Sequence, residues 1–443
     1  MVNLFLGGIV LYREKQYRKL YMLLKYLSEN NVYYSTLLKK YSIDLCENNI
    51  EEIYLKLPVV GRNMIIDNYK EYLSKSIIED FGNVDEIINK LKSTDGLSEN
   101  HDREFLSKTG KKYFAETTSG TTGKPFTIVK SQKERLIEAS YLYSCRKKIY
   151  NKVNVNNGFL FVHKVDPVLK MYDYREKNNR IEMFDKVYYH LIKTKPKWIF
   201  ATTFILNNFV QYLIKTNRIN ELNDLNLKFI ETTSQKVLKE DRDLIEKIFN
   251  TKVINNYGCR EVWNIAYEDQ AGDLTLNDEN LIIDVVDDNG NIIIEENKIG
   301  EVVITSLVNR TMPLIKYYLG DRASIKKIGK KRVIKLEDGR KIEMIEGTNY
   351  SGTTIFRKVL RTLNFHNKIE DIKNIRIIQK AIEKFEVFIE KGKINDEYFE
   401  REFIKVFTDQ MSSRQNYKFI FNYYYPFKKN SSVYKEVIFR NEV

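Results

Sequence analysis

The chain offers little to a covalent or cysteine-based scaffold. Its 443 residues hold three cysteines, Cys46, Cys145 and Cys259, far apart and without a Cys-x-x-Cys or Cys/His spacing. That excludes a disulfide framework and a cysteine-rich zinc site, and points to a reducing compartment. Six prolines argue against long extended linkers. No stretch approaches the ~20 apolar residues that a membrane-spanning helix needs. The apolar start, Met1 to Tyr12, has no basic segment ahead of it and does not read as a signal peptide. A cytoplasmic location without a membrane partner is therefore expected.

What remains is a folded globular composition, 43% hydrophobic and 13% aromatic. The length exceeds one ordinary core and predicts roughly two or three domains. The formal charge of +13 suits a partner that carries phosphates. The excess is spread thinly, however, and no compact basic run with interleaved aromatics exists, so nucleic acid is not expected. The densest cluster, Lys326-Lys327 with Lys330-Lys331-Arg332, reads as a solvated turn between strands.

Periodicity divides the chain into textures. From about 13 to 92 it reads as helices, with Leu20, Met22, Leu23, Tyr26 and Leu27 in helical spacing and LPVVGR (Leu57 to Arg62) as a break. YFAETTSGTTGKPFTIVKS reads as strand–loop–strand. From 132 to 257 helices alternate with the strands NGFLFVH, KWIFATT, LKFIETTS and KVINNYG, which predicts α/β layering around a parallel sheet. Beyond about 270 short alternating strands follow, punctuated by turns at Asp288-Asn289-Gly290 and Asp338-Gly339. IRIIQKAIEKFEVFIEKG reads as two paired strands of a small α+β domain. The expected fold is α/β: a large N-terminal domain over 1–337 with layered α/β sheets and a β-rich segment, then a small mobile domain over 338–443.

Three clusters carry chemistry. Thr117-Thr118-Ser119-Gly120-Thr121-Thr122-Gly123-Lys124-Pro125 packs glycines, hydroxyls and a lysine into nine residues. Glycines let successive N–H groups converge, hydroxyls add donors, and Lys124 adds a point charge, so the loop suits a polyphosphate. It is not a Walker A loop, because its spacing is shorter and Pro125 leads into a strand. The second cluster, Asn256-Tyr257-Gly258-Cys259-Arg260-Glu261-Val262-Trp263, ends a buried strand, where open α/β sheets bind ligands. Tyr257 offers an aromatic face, Gly258 permits close approach, and Glu261 is a hard oxygen ligand for Mg2+. In the third, Arg310 to Asp321, the Asp321 carboxylate follows Gly320 and can accept two hydroxyl donors.

In this order the three resemble the phosphate loop, the Tyr-Gly-x-x-Glu motif and the Gly-Asp ribose motif of the adenylate-forming superfamily. The phenylacetate–CoA ligase-like branch, which includes proteins of capsular polysaccharide clusters, matches best. NVYYSTLLKKY, LPVVGR, IETTSQKVLKEDRDLIEKIF and MPLIKYYLGD extend the resemblance over roughly residues 15–380. It implies a two-step ligase using ATP, Mg2+, a small-molecule carboxylic acid and coenzyme A, or another acyl acceptor such as an amine, a sugar or a carrier-protein thiol. A non-catalytic nucleotide-binding relative is the other reading, and a homodimer stays open.

By position, the resemblance gives Thr118, Ser119, Gly120, Thr121, Thr122, Gly123 and Lys124 to the β- and γ-phosphates. Thr233, Ser234, Gln235, Asn256, Tyr257 and Gly258 fall to the adenine side, Asp321 to the ribose and Glu261 to the metal. His163, Trp198, Thr202, Thr203 and Trp263 fall to the acid pocket, although a buried core histidine is an equal reading of His163. The C-terminal domain departs from the pattern. Val433 stands at the position of the usual catalytic lysine; either Lys435, two residues on, substitutes through a shifted register, or the step is slow or altered. The hinge is irregular as well, with Gly339-Arg340 and Gly347-Thr348-Asn349 both partial matches.

Overall fold

The computed structural model describes residues 3–81, 85, 87, 102–118, 126–161, 180–340, 343–348, 350–366, 372–391, 395–411, 417–423 and 437–441. The chain divides into two compact units. The larger comprises Met1–Lys298, Val303–Tyr318 and Ile325–Lys335; the smaller comprises Ile299–Val302, Leu319–Ser324 and Leu336–Val443.

The larger unit opens with helices α1 (Asn3–Asn30), α2 (Val32–Lys40), α3 (Ile50–Lys56), α4 (Arg62–Asp67), α5 (Tyr69–Tyr72) and α6 (Lys75–Phe81). Leu20, Leu23, Leu24 and Leu27 form the buried stripe of α1, three and four residues apart. Met22 lies off that stripe and is exposed. Buried Asn31 caps α2: its Oδ1 accepts from the Tyr34 N–H at 3.0 Å, and its Nδ2 donates to the Tyr72 carbonyl at 2.9 Å.

These helices are tied to residues far along the chain. Arg13 Nη2 reaches Asp284 Oδ1 at 2.5 Å, Gln16 Nε2 donates to the Leu281 carbonyl at 2.7 Å, and Tyr54 Oη donates to Asp284 Oδ2 at 3.0 Å. Lys316 adopts a left-handed backbone, φ 48°, and its buried ammonium donates to the Leu57 carbonyl at 2.7 Å. A cation there satisfies carbonyls at the end of α3.

Strands β1 (Asp102–Leu106), β2 (Lys112–Thr118) and β3 (Phe126–Ser131) form an antiparallel sheet, with Thr118 opposite Phe126. Helix α7 (Gln132–Ile149) follows at once, started by a capping box between Ser131 and Glu134. The α/β alternation then runs β4 (Gly158–Phe161), α8 (Arg180–Thr194), β5 (Trp198–Thr202), α9 (Thr203–Lys215), β6 (Phe229–Thr233), α10 (Lys239–Phe249) and β7 (Val253–Tyr257). Strands β8 (Ala266–Glu268), β9 (Leu274–Leu276), β10 (Leu281–Val286), β11 (Gly300–Ser306), β12 (Tyr317–Ile328) and β13 (Lys331–Arg340) extend it to a ten-stranded sheet. Its order is β10-β11-β12-β13-β9-β8-β7-β6-β5-β4, with β4 to β7 parallel and β7, β8 and β9 antiparallel.

The smaller unit carries α11 (Gly352–His366), β14 (Ile372–Ala381), β15 (Lys384–Lys391), α12 (Asp396–Met411), β16 (Lys418–Asn422) and β17 (Val437–Asn441). Its sheet has the order β16-β15-β14-β17, and the expected pairing of β14 with β15 is antiparallel. Phe356, Phe385, Phe399, Phe403 and Phe407 build its core.

Two readings need correction. Asp338-Gly339 lies inside β13, where Gly339 has φ 77°, and Gly320-Asp321 lies inside β12. Nor is the basic turn simply solvated: Lys331 pairs with Asp273 at 2.7 Å, and Arg332 with Asp278 at 2.8 Å. Long-range carboxylates from the β9 neighbourhood satisfy these charges, which local spacing does not show.

Candidate active site

Parallel strands β5, β6 and β7 end side by side at Thr202, Thr233 and Tyr257, with Thr202 in register with Thr233 and Thr232 with Asn255. Ligands of open α/β sheets bind outside such carboxyl ends. Thr202 Oγ1 accepts from the Ile205 N–H at 3.4 Å and starts α9. Buried Thr203 donates to the Gln235 carbonyl at 2.9 Å, tying the segment after β6 to α9. Between them Ser234 is exposed, with a left-handed φ of 79°.

After β7 the chain doubles back. The Trp263 N–H donates to the Cys259 carbonyl at 2.7 Å, and Trp263 itself has φ 57°. A Cβ on Gly258 would lie 1.9 Å from the Trp263 carbonyl oxygen, so only glycine allows this closure. The turn aims Glu261 inward, where it is 2% exposed. Tyr317 Oη donates to Glu261 Oε1 at 3.0 Å, Arg62 Nη2 lies 3.9 Å from the same oxygen, and Asn309 Nδ2 donates to the Glu261 carbonyl at 3.1 Å. Burial and the Glu261 charge push the Tyr317 hydroxyl and the Cys259 thiol upward, so both stay protonated beside the carboxylate.

The hairpin β2–β3 reaches the same place. The Phe126 N–H donates to Thr118 Oγ1 at 3.3 Å, and the Phe126 ring stacks between Tyr69 and Tyr317, with centroids at 6.2 and 5.8 Å. The Arg62 guanidinium lies 5.9 Å from the Phe126 centroid. Thr118 and Phe126, the two residues that bracket the Ser119 to Pro125 loop, are thus linked through Tyr317 to Glu261.

A second link runs through buried charge. Lys130 on β3 is fully buried; its ammonium donates to Glu138 Oε2 at 2.7 Å, to Glu116 Oε2 at 3.2 Å and to the Arg260 carbonyl at 2.8 Å. Trp263 Nε1 donates to that same Glu116 oxygen at 2.8 Å. Burial works against the ammonium, but Glu138 and Glu116 outweigh it and raise its pKa. Burial raises the Glu138 carboxyl, with Glu116 and Glu134 adding to the effect and Lys130 opposing it.

Among the described residues, no group of three or more His, Cys, Asp or Glu side chains could hold a metal ion. Glu261 offers a single buried carboxylate. That fits a cation such as Mg2+, which takes one or two carboxylates and completes its shell with phosphate oxygens and water.

No protein-family model matches the chain. Protein CapK of Staphylococcus aureus is similar, 22% identical over 317 residues; the match covers 68% of this chain and 60% of that relative's length. Among solved structures, 2-hydroxyisobutyryl-CoA ligase in the postadenylation state with R3-HIB-AMP aligns with a TM-score of 0.63 at 12% identity, over 95% of this chain and 88% of that one. Its open conformation with 2-HIB-AMP and CoA aligns at 0.54 and 14% identity, over 95% and 90%. The chain shares the fold of 2-hydroxyisobutyryl-CoA ligase.

Within this fold, the residues expected at the site separate. Thr118, Gly258, Glu261 and Trp263 belong to one connected cluster. Thr202, Thr203, Thr233, Ser234, Gln235 and Tyr257 stand at or just beyond the neighbouring strand ends. Trp198 does not join them. It begins β5 at the opposite end from Thr202, fully buried, its Nε1 donating to the Asn154 carbonyl and Asn157 Oδ1 at 3.0 Å each and its ring stacked on Phe229. It is a core residue. The Asn256 side chain also turns inward, donating to Glu231 Oε1 at 2.9 Å and accepting from Asn264 at 2.7 Å.

Asp321 groups with the smaller unit, where Arg340 Nε donates to its Oδ1 at 2.8 Å. Ser119, Gly120, Thr121, Thr122, Gly123, Lys124, His163 and Lys435 lie outside the described residues. Arg62, Tyr317, Glu116, Lys130 and Asn309 enter the cluster without having been singled out by sequence. LPVVGR and MPLIKYYLGD marked the first two as context only. Lys130 lies 130 residues before Arg260, so no local spacing announces their contact.

Proposed function

We propose that this chain is an AMP-forming acid ligase, which activates a small-molecule carboxylic acid with ATP and transfers the acyl group to coenzyme A. One observation carries the reading: the hairpin bracketing the Ser119 to Lys124 loop is linked through Phe126 and Tyr317 to the buried carboxylate of Glu261. A polyphosphate gripped by that loop would lie beside a carboxylate fit for Mg2+, which supplies charge neutralisation when bound. In the first step a substrate carboxylate oxygen attacks the α-phosphorus, the bond to the β-phosphate bridging oxygen breaks, and pyrophosphate leaves. In the second the thiol sulfur attacks the acyl carbon, loses its proton, and displaces AMP.

The residues take roles suited to charge build-up on phosphate. Lys124 and the loop N–H groups hold the β- and γ-phosphates, Glu261 holds the metal, Tyr317 orients Glu261, Tyr257 faces adenine and Asp321 meets the ribose. The segment 338–443, with Lys435 as its lysine, is assigned the conformational change between the two steps. Acid-dependent ATP–pyrophosphate exchange with pooled aryl and fatty acids tests the reading. Exchange with one acid, lost in Glu261→Gln, is the expected result. A folded protein that binds no ATP would refute it.

A further inference from the structure

We infer that Lys130, acting with Glu116, is a positioning residue for Glu261 that couples the phosphate-loop hairpin to the turn carrying the metal carboxylate. This rests on the ligase reading above. Lys130 is an unusual residue to find fully buried, and burial without partners would be costly. Here all three ammonium donors are used, two on carboxylates of β2 and α7 and one on the Arg260 carbonyl. The Arg260 carbonyl immediately precedes Glu261, and the Trp263 indole, two residues after it, is held by the same Glu116 oxygen. The Asn309 bond to the Glu261 carbonyl adds a third anchor.

Glu116 and Lys130 both sit on the strands that bracket the loop, Glu116 two residues before Thr118 and Lys130 four after Phe126. Ordering of those strands by a gripped polyphosphate is therefore passed to Glu261 through Lys130, Glu116 and their bonds to the Arg260 carbonyl and the Trp263 indole. Neither Lys130 nor Glu116 reacts; they set where the carboxylate stands.

The experiment measures ATP binding by calorimetry with Mg2+ and with chelator, for wild type and Lys130→Met, with pyrophosphate exchange alongside. The expected result is that metal-free ATP affinity is retained, while the Mg2+-dependent gain and the exchange kcat each fall about 10- to 100-fold, the usual cost of losing a partner of a metal ligand. Trp263 supplies a second readout. Trp198, the other tryptophan, is in the core, so an emission change on adding Mg2+ and ATP reports Trp263, and Lys130→Met should lose it. If Lys130→Met does not fold, Trp263→Phe removes the bond to Glu116 and keeps an aromatic ring beside Lys130 and Arg135, and it should diminish the Mg2+-dependent gain in the same direction. Wild-type Mg2+ dependence in whichever variant folds overturns the inference and leaves the ligase reading intact. Absence of ATP binding by wild type overturns both.

Discussion

Gly258→Ala isolates the geometry of the turn from its chemistry, because it removes no charge and no hydrogen bond. An added Cβ would lie 1.9 Å from the Trp263 carbonyl oxygen and 2.8 Å from its carbon, and real Cβ contacts essentially never fall under 3.0 Å. Both contacts are with backbone, so no side chain can swing away; the chain at 258 and at 263 must part by about 1 Å. Overpacking of this kind typically costs about 1–3 kcal/mol, read as a fall in melting temperature. The larger effect is expected in rate. Glu261 lies between the two displaced points, and a misplacement of ~1 Å can cost about 100-fold in kcat/KM. Pyrophosphate exchange measures that loss directly. Gly61→Ala is the control, since a Cβ there meets nothing within 4 Å at a φ of −91°, and it should leave melting and exchange unchanged. Wild-type melting and exchange in Gly258→Ala would refute the argument that the Gly258–Trp263 closure sets the position of Glu261.

Two further outcomes follow from the same structure. Trp198→Phe removes the indole donor to the Asn154 carbonyl and Asn157 Oδ1, the latter keeping the Asn154 N–H at 3.1 Å, so about 0.5–1.5 kcal/mol should be lost in thermal or urea melts while the KM for the acid does not move; a changed acid preference would return Trp198 to the pocket. Asp284 sets a pH dependence: burial alone would raise its carboxyl, but Arg13, helped by Arg332 and the Tyr54 hydroxyl, outweighs burial and lowers it below the ordinary 3.8. Its contribution is therefore in place above that value and is lost as pH falls through the lower folded value. Urea melts taken downward from about pH 5 should show this loss, and Arg13→Met, less stable at neutral pH, should show a shallower one; parallel acid limbs would contradict it.

The fold was legible where one periodicity dominated. Helix α7, strands β5 to β7 and the hairpin around the Ser119 to Lys124 loop stand within a residue or two of where alternation and loop chemistry put them. Legibility failed where long-range partners decide. Asp338-Gly339 has the composition of a turn, but β13 continues through it because Gly339 can take φ 77° inside a strand. Trp198 resembled a pocket aromatic by position in the chain; a Cβ on Gly158 would lie 2.3 Å from its indole, the mark of a tightly packed interior. Glu261, Gly258 and Thr118 could be chosen because hydroxyl, glycine and carboxylate chemistry is local to a motif. Lys130 could not, because an isolated lysine in a strand gives no hint of two carboxylates and a carbonyl waiting 8, 14 and 130 residues away.

The anchoring of the first helices has a consequence for how the chain is made. Arg13 and Tyr54 await Asp284, 271 and 230 residues downstream, and Tyr34 awaits Ile315, 281 residues downstream. At ~5–20 residues per second of synthesis, those partners emerge roughly 10 to 60 s after the helices that need them. During that interval α1 can pack only against its near neighbours α2 and α3, without the anchors that fix it in the finished fold. The native setting of these helices is therefore completed only after Asp284 and Ile315 have been made.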